Sequence, residues 1–511
     1  MRFSFLDPVA GAILEIRPFL FGLFLRTLLV AGLPIYLRGA PPSVPGPGTS
    51  QVSVVDIIPE SLSGETADDS EPNLAVNPLH PSQIAASALT RDPMGGKMAP
   101  IFISTNGGQT WSCRSVVPSP QVTCDITLRF GSSSDVLYVS ALRNQIRLGD
   151  FKLEPLELVI CRSSGFANAW VMDEVAKRQG EGIDQPYITA TTAANQKDRV
   201  FVGVNDFNGR PRKKTATIDR SLDGTANSFI PILIESRTTF DRDGAEIRPA
   251  ISSDGNVVYA AFNHVTREHD NLRIADVVVV RDDNGGDSTL PFTSLVDCDD
   301  GFFGMRVVKE RTFAWDLCLG NDRLGGDLAI AVDPKHANTV YLAWSEQLQN
   351  QPTLHVKKST DGGTNWGPVL RSIGNAKNPG LAINNKGKLG FLYQQVDTSD
   401  GVDTWMTKFE RTSDDFKTSP NVLTLATFPV SEFPVCTDSG ARLLLGDYLH
   451  LMSERNDFYG IFSSSNVPDR ARFPCGVTFQ RRKDFNSKKL LDLQGNGVSP
   501  SIDPFFFKVA E

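Results

Sequence analysis

Seven polar residues open seven repeated segments of this 511-residue chain: Glu71, Asp125, Gln185, Arg248, Asp327, Asn378 and Asp447. Each is followed by mostly apolar or small residues, as in Glu71-Pro-Asn-Leu-Ala-Val, Gln185-Pro-Tyr-Ile and Asp327-Leu-Ala-Ile-Ala-Val. If the segments close into a ring in chain order, Asp447, Glu71 and Asp125 become neighbours. Like charges held close must raise a pKa, share a proton or take up a cation. Paired carboxyl groups are the usual apparatus of glycoside hydrolysis, and a cluster of oxygens also suits Ca²⁺. Gln185, Asp327 and Asn378 would add polar contacts to a substrate. The plain alternative is that such residues only solvate strand ends. A second acidic run, Asp241, Asp243 and Glu246, surrounds a Gly turn just before Arg248 and is a candidate Ca²⁺ site, as is Asp297-Cys-Asp-Asp-Gly301. Neither has the ligand pattern of an EF-hand loop.

The elements that must position these residues are strands. Each segment is a strand-like run, a polar turn and a second strand: Asp327-Leu-Ala-Ile-Ala-Val is followed by Thr339-Val-Tyr-Leu-Ala-Trp, and Arg248-Pro-Ala-Ile by Val257-Val-Tyr-Ala-Ala-Phe. The starts lie 51–79 residues apart, room for four short strands each. The runs are β-branched and aromatic, bounded by Asn, Asp and Gly, and helical periodicity is nearly absent. Four-stranded sheets packed radially bury both faces, so the fold class is all-β and the architecture a β-propeller, seven-bladed by this count. Either Gln51-Val-Ser-Val-Val-Asp-Ile or the tail Phe505-Phe-Phe-Lys-Val could complete the last blade.

Between the later strands comes a second signature. Ser104-Thr-Asn-Gly-Gly-Gln-Thr-Trp111 and Ser359-Thr-Asp-Gly-Gly-Thr-Asn-Trp366 both read S-x-[DN]-x-G-x-x-W, with degenerate copies at Ser163…Trp170, Ser221-Leu-Asp-Gly, Asp282-Asp-Asn-Gly-Gly and Ser413-Asp-Asp-Phe. This pattern resembles the Asp box, or bacterial neuraminidase repeat, of the sialidase superfamily. The box stabilises a turn and identifies an architecture rather than a site. The resemblance implies six blades as the alternative count and an exported carbohydrate-acting protein. It also implies three arginines holding a substrate carboxylate and a tyrosine nucleophile beside a carboxylate. Arg248, Arg323 and Arg442 could approach one mouth, and Tyr448 stands next to Asp447, with Tyr187 the other candidate. The chain departs from the family in its seven units and in lacking Arg-Ile-Pro, whose nearest match is Ile247-Arg248-Pro249.

Residues 18–37 are apolar except Arg26 and Thr27 and precede a Pro/Gly/Ser stretch. The expected organisation is a signal peptide or membrane anchor over 1–40, a linker over 41–50 and one propeller domain over 51–511. A secreted or cell-envelope location follows, with membrane contact only through residues 18–37 if they are retained. Seven cysteines show no metal spacing; Cys298–Cys318 and Cys436–Cys475 are the plausible bridges, with buried thiols the alternative. The insertion over roughly 285–326 could wall one side of the mouth.

With 51 basic against 59 acidic residues, the formal net charge of −8 offers no broad surface for phosphate backbones, and the basic run Arg210-Pro-Arg-Lys-Lys214 reads as a solvated hairpin tip. Signatures of nucleotide, serine-hydrolase and zinc-protease sites are missing. No cofactor is required, although Ca²⁺ is compatible. The partner is a glycan or glycoconjugate, or a protein. A glycoside hydrolase and a non-catalytic recognition module are the two functional readings.

Overall fold

The computed structural model describes residues from Val52 onward except 91–98, 118–122, 144–156, 164–165, 167–171, 180–181, 209–213, 241, 245, 270–271, 316, 350 and 434–443. Residues 1–50, Asp241, Arg442, Cys436, most of the basic run and most of the Ser163…Trp170 segment therefore lie outside the described residues. The chain divides into two units, Met1–Thr49 and Ser50–Glu511.

Among the described residues the second unit holds six four-stranded antiparallel sheets, one five-stranded sheet and two smaller ones of three and two strands, the seven larger sheets forming the blades. Their first strands are Ser70–Val76, Thr123–Phe130, Ile183–Thr192, Arg248–Ile251, Leu328–Val332, Ala376–Ile383 and His450–Glu454, here called the inner strands of blades 1 to 7. Each inner strand neighbours the next, and that of blade 7 neighbours that of blade 1, so the ring closes. The second strands carry the runs that chose the fold: Val340–Leu348 reads VYLAWSEQL, β-branched and aromatic residues that fit a pleated surface covered on both faces. No helix of the described residues is long and apolar enough to cross a membrane.

Packing explains why the ring is one body. Hydrophobic clusters form between blades rather than within them. One joins Val139 and Val159 of blade 2 to Ala75 and Ile101 of blade 1, and another joins Leu342 of blade 5 to Val277 and Val279 of blade 4. Both chain ends close the last blade. Ile502–Val509 pairs with Asp457–Ser465, and Val52–Asp56 pairs antiparallel with Ile502–Val509, placing Val55 opposite Phe506. Phe506 then packs against Trp111 of blade 1 with ring centroids 5.3 Å apart, sealing the seam.

The turns after the third strands share one hydrogen-bond pattern. Ser104 Oγ accepts from Gly108 N at 2.9 Å and Trp111 Nε1 donates to Gly108 O at 3.0 Å. Ser359, Gly363 and Trp366 repeat this at 2.9 and 3.0 Å. In blade 6 the oxygen belongs to Thr412, not Ser413, and bonds Phe416 N at 3.0 Å.

Two expectations are corrected here. Cys298 and Cys475 are free thiols and Cys318 is disulfide-bonded, so neither expected bridge forms. The 285–326 segment is only partly a wall, since Met305–Ala314 is the fourth strand of blade 4 itself. The remainder holds a two-stranded ribbon, Cys318–Leu319 with Asp322–Arg323, which carries Arg323 to the mouth.

Candidate functional site

The starts of the inner strands gather at one end of the central channel, and backbone irregularity there aims the side chains. The inner strands of blades 1, 2, 3 and 6 each break register over their first residues, between Ser70 and Asn73, Thr123 and Ile126, Asp184 and Tyr187, and Lys377 and Gly380. Such bulges re-aim side chains at rims. Glu71, Gln185 and Asn378 sit inside them with φ of 52°, 49° and 55°, each just before a proline. Non-glycine residues held there cost on the order of 1–3 kcal/mol each, which the surrounding bonds must offset.

All seven mouth residues named from the repeats are buried. Asp447 is the hub: Gln185 Nε2 donates to its Oδ2 at 2.8 Å, Arg323 Nε to its Oδ1 at 3.3 Å, and its own N–H donates to Glu71 Oε1 at 3.0 Å. Arg323 Nη2 completes the ion pair with Asp447. The carboxyls of Asp125 and Asp447 both act on Glu71, and burial together with these neighbours holds Glu71 well above the ordinary carboxyl range. Convergence of Asp447, Glu71 and Asp125 is therefore real.

Tyr448 bonds differently from the sequence expectation. Its hydroxyl donates to Asp125 Oδ1 at 3.2 Å rather than to the adjacent Asp447. Burial, with Asp125 and Glu71 behind it, pushes the phenol well above its usual range. The Arg248 guanidinium lies 4.2 Å from the Tyr187 ring centroid and 5.5 Å from that of Tyr448, and Nη2 pairs with Glu246 Oε1 at 3.0 Å. Arg248 and Arg323 thus reach the same mouth, each already facing an acidic side chain. The Asp327 carboxylate accepts Asn378 N at 3.0 Å, and Asn378 Nδ2 donates to Gln394 Oε1 at 2.9 Å and Gly446 O at 3.0 Å. These two residues brace blades 5, 6 and 7.

Of the acidic run before Arg248, the two described members, Asp243 and Glu246, do not come together as a ligand set. Glu246 turns to Arg248, while Asp243 is buried elsewhere with its Oδ2 accepting Thr215 N at 2.6 Å and Ala216 N at 2.9 Å. Desolvation outweighs the guanidinium and pushes Glu246 up to about 8. Asp297 and Asp300 are likewise engaged by Arg306 and Arg237.

Three mouth residues were missed by the sequence reasoning. Asp184 is partly exposed, and burial beside Asp125 and Asp447 raises its carboxyl to about 7. It precedes Gln185, and the bulge brings both to the mouth, so an alignment allowing one residue per blade passes over it. Arg129 and His450 lie deeper. Arg129 Nη2 and His450 Nε2 are 2.8 Å apart, and burial plus two arginines hold His450 well below its usual value, hence neutral. The channel below is a cavity of about 280 Å³ lined by Arg129, Tyr187, Arg248, Asn378, Tyr448 and His450 among others. Among the mouth residues, buried polar atoms without a hydrogen-bond partner in the protein include Gln185 Oε1, Asn378 Oδ1 and Arg248 Nη1.

No family model and no curated protein matches the chain. Among solved structures, an α-L-arabinofuranosidase from Fusarium graminearum in complex with an iminosugar inhibitor is similar at 11% identity, covering 71% of this chain and 99% of that one, TM-score 0.44. A polysaccharide lyase, an ulvan lyase bound to an oligosaccharide, is similar at 10% identity over 78% of this chain and 92% of its own, TM-score 0.42. Sqt1 from Chaetomium thermophilum is similar at 11% identity over 91% and 100%, TM-score 0.38. The propeller assignment rests on the sheet topology and the closed ring of inner strands; the class is an all-β propeller with an acidic, arginine-braced channel mouth.

Proposed function

We propose that the mouth binds carbohydrate and cleaves a glycosidic bond by carboxyl acid–base catalysis. The observation that carries this reading is the gathering of Glu71, Asp125, Asp184 and Asp447 from four blades at one channel end, with Asp184 raised to about 7. A carboxyl that keeps its proton near neutrality is a general acid, and an ion-paired carboxylate beside it is a base or nucleophile. Asp184 takes the first role and Asp447, paired with Arg323, the second. Asp125 with Tyr448 and Glu71 orients the pair from the opposite side. Unpartnered donors and acceptors on Arg248, Gln185 and Asn378 suit a polyhydroxylated ligand. The S-x-[DN]-x-G-x-x-W turns support the finer resemblance to the sialidase superfamily, in which Tyr448 would be the nucleophile and Asp125 its activating carboxylate. Export through residues 18–37 belongs to the same proposal, as do Ca²⁺ tolerance and independence from any other cofactor.

A second reading is recognition without turnover. It draws on one observation: Arg248 faces Glu246, Arg323 faces Asp447 and Lys377 faces Asp322, so these three mouth cations are already engaged within the protein. A panel of fluorogenic glycosides and polysaccharides separates the two. Turnover by the full chain that disappears in Asp184→Asn supports catalysis. Glycan binding without turnover in the wild type supports recognition.

A further inference from the structure

We propose that Glu235, Asp243 and His264 form a binding site for a divalent first-row transition-metal ion, Zn²⁺ foremost. Glu235 follows the outer strand Ile230–Leu233 of blade 3, Asp243 lies in the connector to blade 4, and His264 is on the second strand of blade 4, Val258–His269. One donor atom from each lies within 4.8 Å of the other two, and His264 Nδ1 is 2.9 Å from Glu235 Oε2. None of the three residues is more than 5% exposed.

The pattern of used and unused atoms points to a ligand. Glu235 Oε1 accepts Arg237 N at 2.5 Å, and Asp243 Oδ2 accepts the two amides of Thr215 and Ala216. The atoms left over are Glu235 Oε2, Asp243 Oδ1 and His264 Nδ1, all buried and none in an aligned hydrogen bond, with Glu235 Oε2 and His264 Nδ1 facing each other at 2.9 Å. Lys214 flanks the cluster, but its ammonium donates to the Ser236 carbonyl at 2.8 Å. Burying carboxylate oxygens without aligned donors, Asp243 Oδ1 above all, is costly, and a cation bound by all three groups removes that cost. Zinc at about 2.0–2.2 Å from nitrogen and oxygen ligands sets those ligands roughly 3.3 Å apart, against 2.9 Å for the His264–Glu235 pair and at most 4.8 Å for the others. The imidazole and the small number of protein donors disfavour Ca²⁺, which takes six to eight oxygens. Asp243 is thus a ligand, but with Glu235 and His264 rather than with Glu246, which faces Arg248.

Such an ion clips the connector that delivers Glu246 and Arg248 to the mouth onto blade 4. The role is structural and independent of what the mouth does. The test uses the full chain: elemental analysis of the purified protein, then thermal unfolding after chelation with Zn²⁺, Mn²⁺ or Ca²⁺ added back. The expected result is one equivalent of zinc and a rise of several degrees in Tm on adding Zn²⁺, both lost in His264→Gln and Glu235→Gln. These variants keep polarity and leave the two amide bonds of Asp243 in place, so folding is retained. Wild-type protein that neither holds nor responds to zinc, a response equal in the variants, or stabilisation by Ca²⁺ alone overturns the proposal.

Discussion

The hydroxyl of Tyr448, at the start of blade 7, donates to Asp125 Oδ1 of blade 2 at 3.2 Å, reaching past blade 1. This bond crosses between two non-adjacent blades, and Tyr448 is held from its face by Arg248. Tyr448→Phe keeps the ring packing and removes only the bond. Turnover on the best substrate should fall about 10²-fold with Tm changed little, as measured by steady-state kinetics and calorimetry.

Gly446 makes the approach of Glu71 to Asp447 possible. It adopts φ of 85°, and a Cβ there would lie 2.2 Å from Glu71 Cγ. Its carbonyl also accepts from Lys377 Nζ and Asn378 Nδ2, both at 3.0 Å. Gly446→Ala should therefore destabilise by about 1–3 kcal/mol in urea unfolding and depress turnover together with stability.

The pH dependence follows from Glu246. Its folded-state pKa of about 8 lies above the unfolded value, so the folded protein holds this proton more tightly. That contribution to stability is complete below the unfolded value and is lost as pH rises toward 8. The Tm difference between wild type and Glu246→Gln should shift against the wild type as pH is raised from 5 to 8.5. A difference constant with pH would contradict the assignment.

Ring closure depends on Phe506, fully buried between Trp111 and Tyr459. Phe506→Ala should cost about 3–5 kcal/mol, measured by denaturant unfolding.

The blades were legible because a polar residue stands at or near the start of each inner strand and second strands are β-branched, aromatic runs such as Val257-Val-Tyr-Ala-Ala-Phe. Closure was legible as two alternatives; the structure uses both ends in one sheet. Pairings at the mouth were not legible, for a geometric reason. Successive residues on extended chain point to opposite faces, so Asp447 and Tyr448, adjacent in sequence, meet Arg323 of the two-stranded ribbon and Asp125 of blade 2. Asp184 was hidden by the bulge that brings two consecutive residues to the mouth. Asp243 and Glu246 looked like partners by spacing, but one faces Glu235 and His264, and the other Arg248. Cys298 and Cys318 looked like a bridge on the same grounds, yet Cys298 is a free thiol.

The central claim is that a carboxyl group at the mouth does acid catalysis on a glycan. Its most direct test measures turnover and oligosaccharide affinity side by side for the wild-type chain and Asp184→Asn. The account predicts turnover lower by 10²-fold or more with affinity within a few-fold, and a wild-type rate that declines above pH about 7 as Asp184 loses its proton. Turnover unchanged in Asp184→Asn, or a wild-type protein that neither binds nor cleaves any glycan, would contradict it.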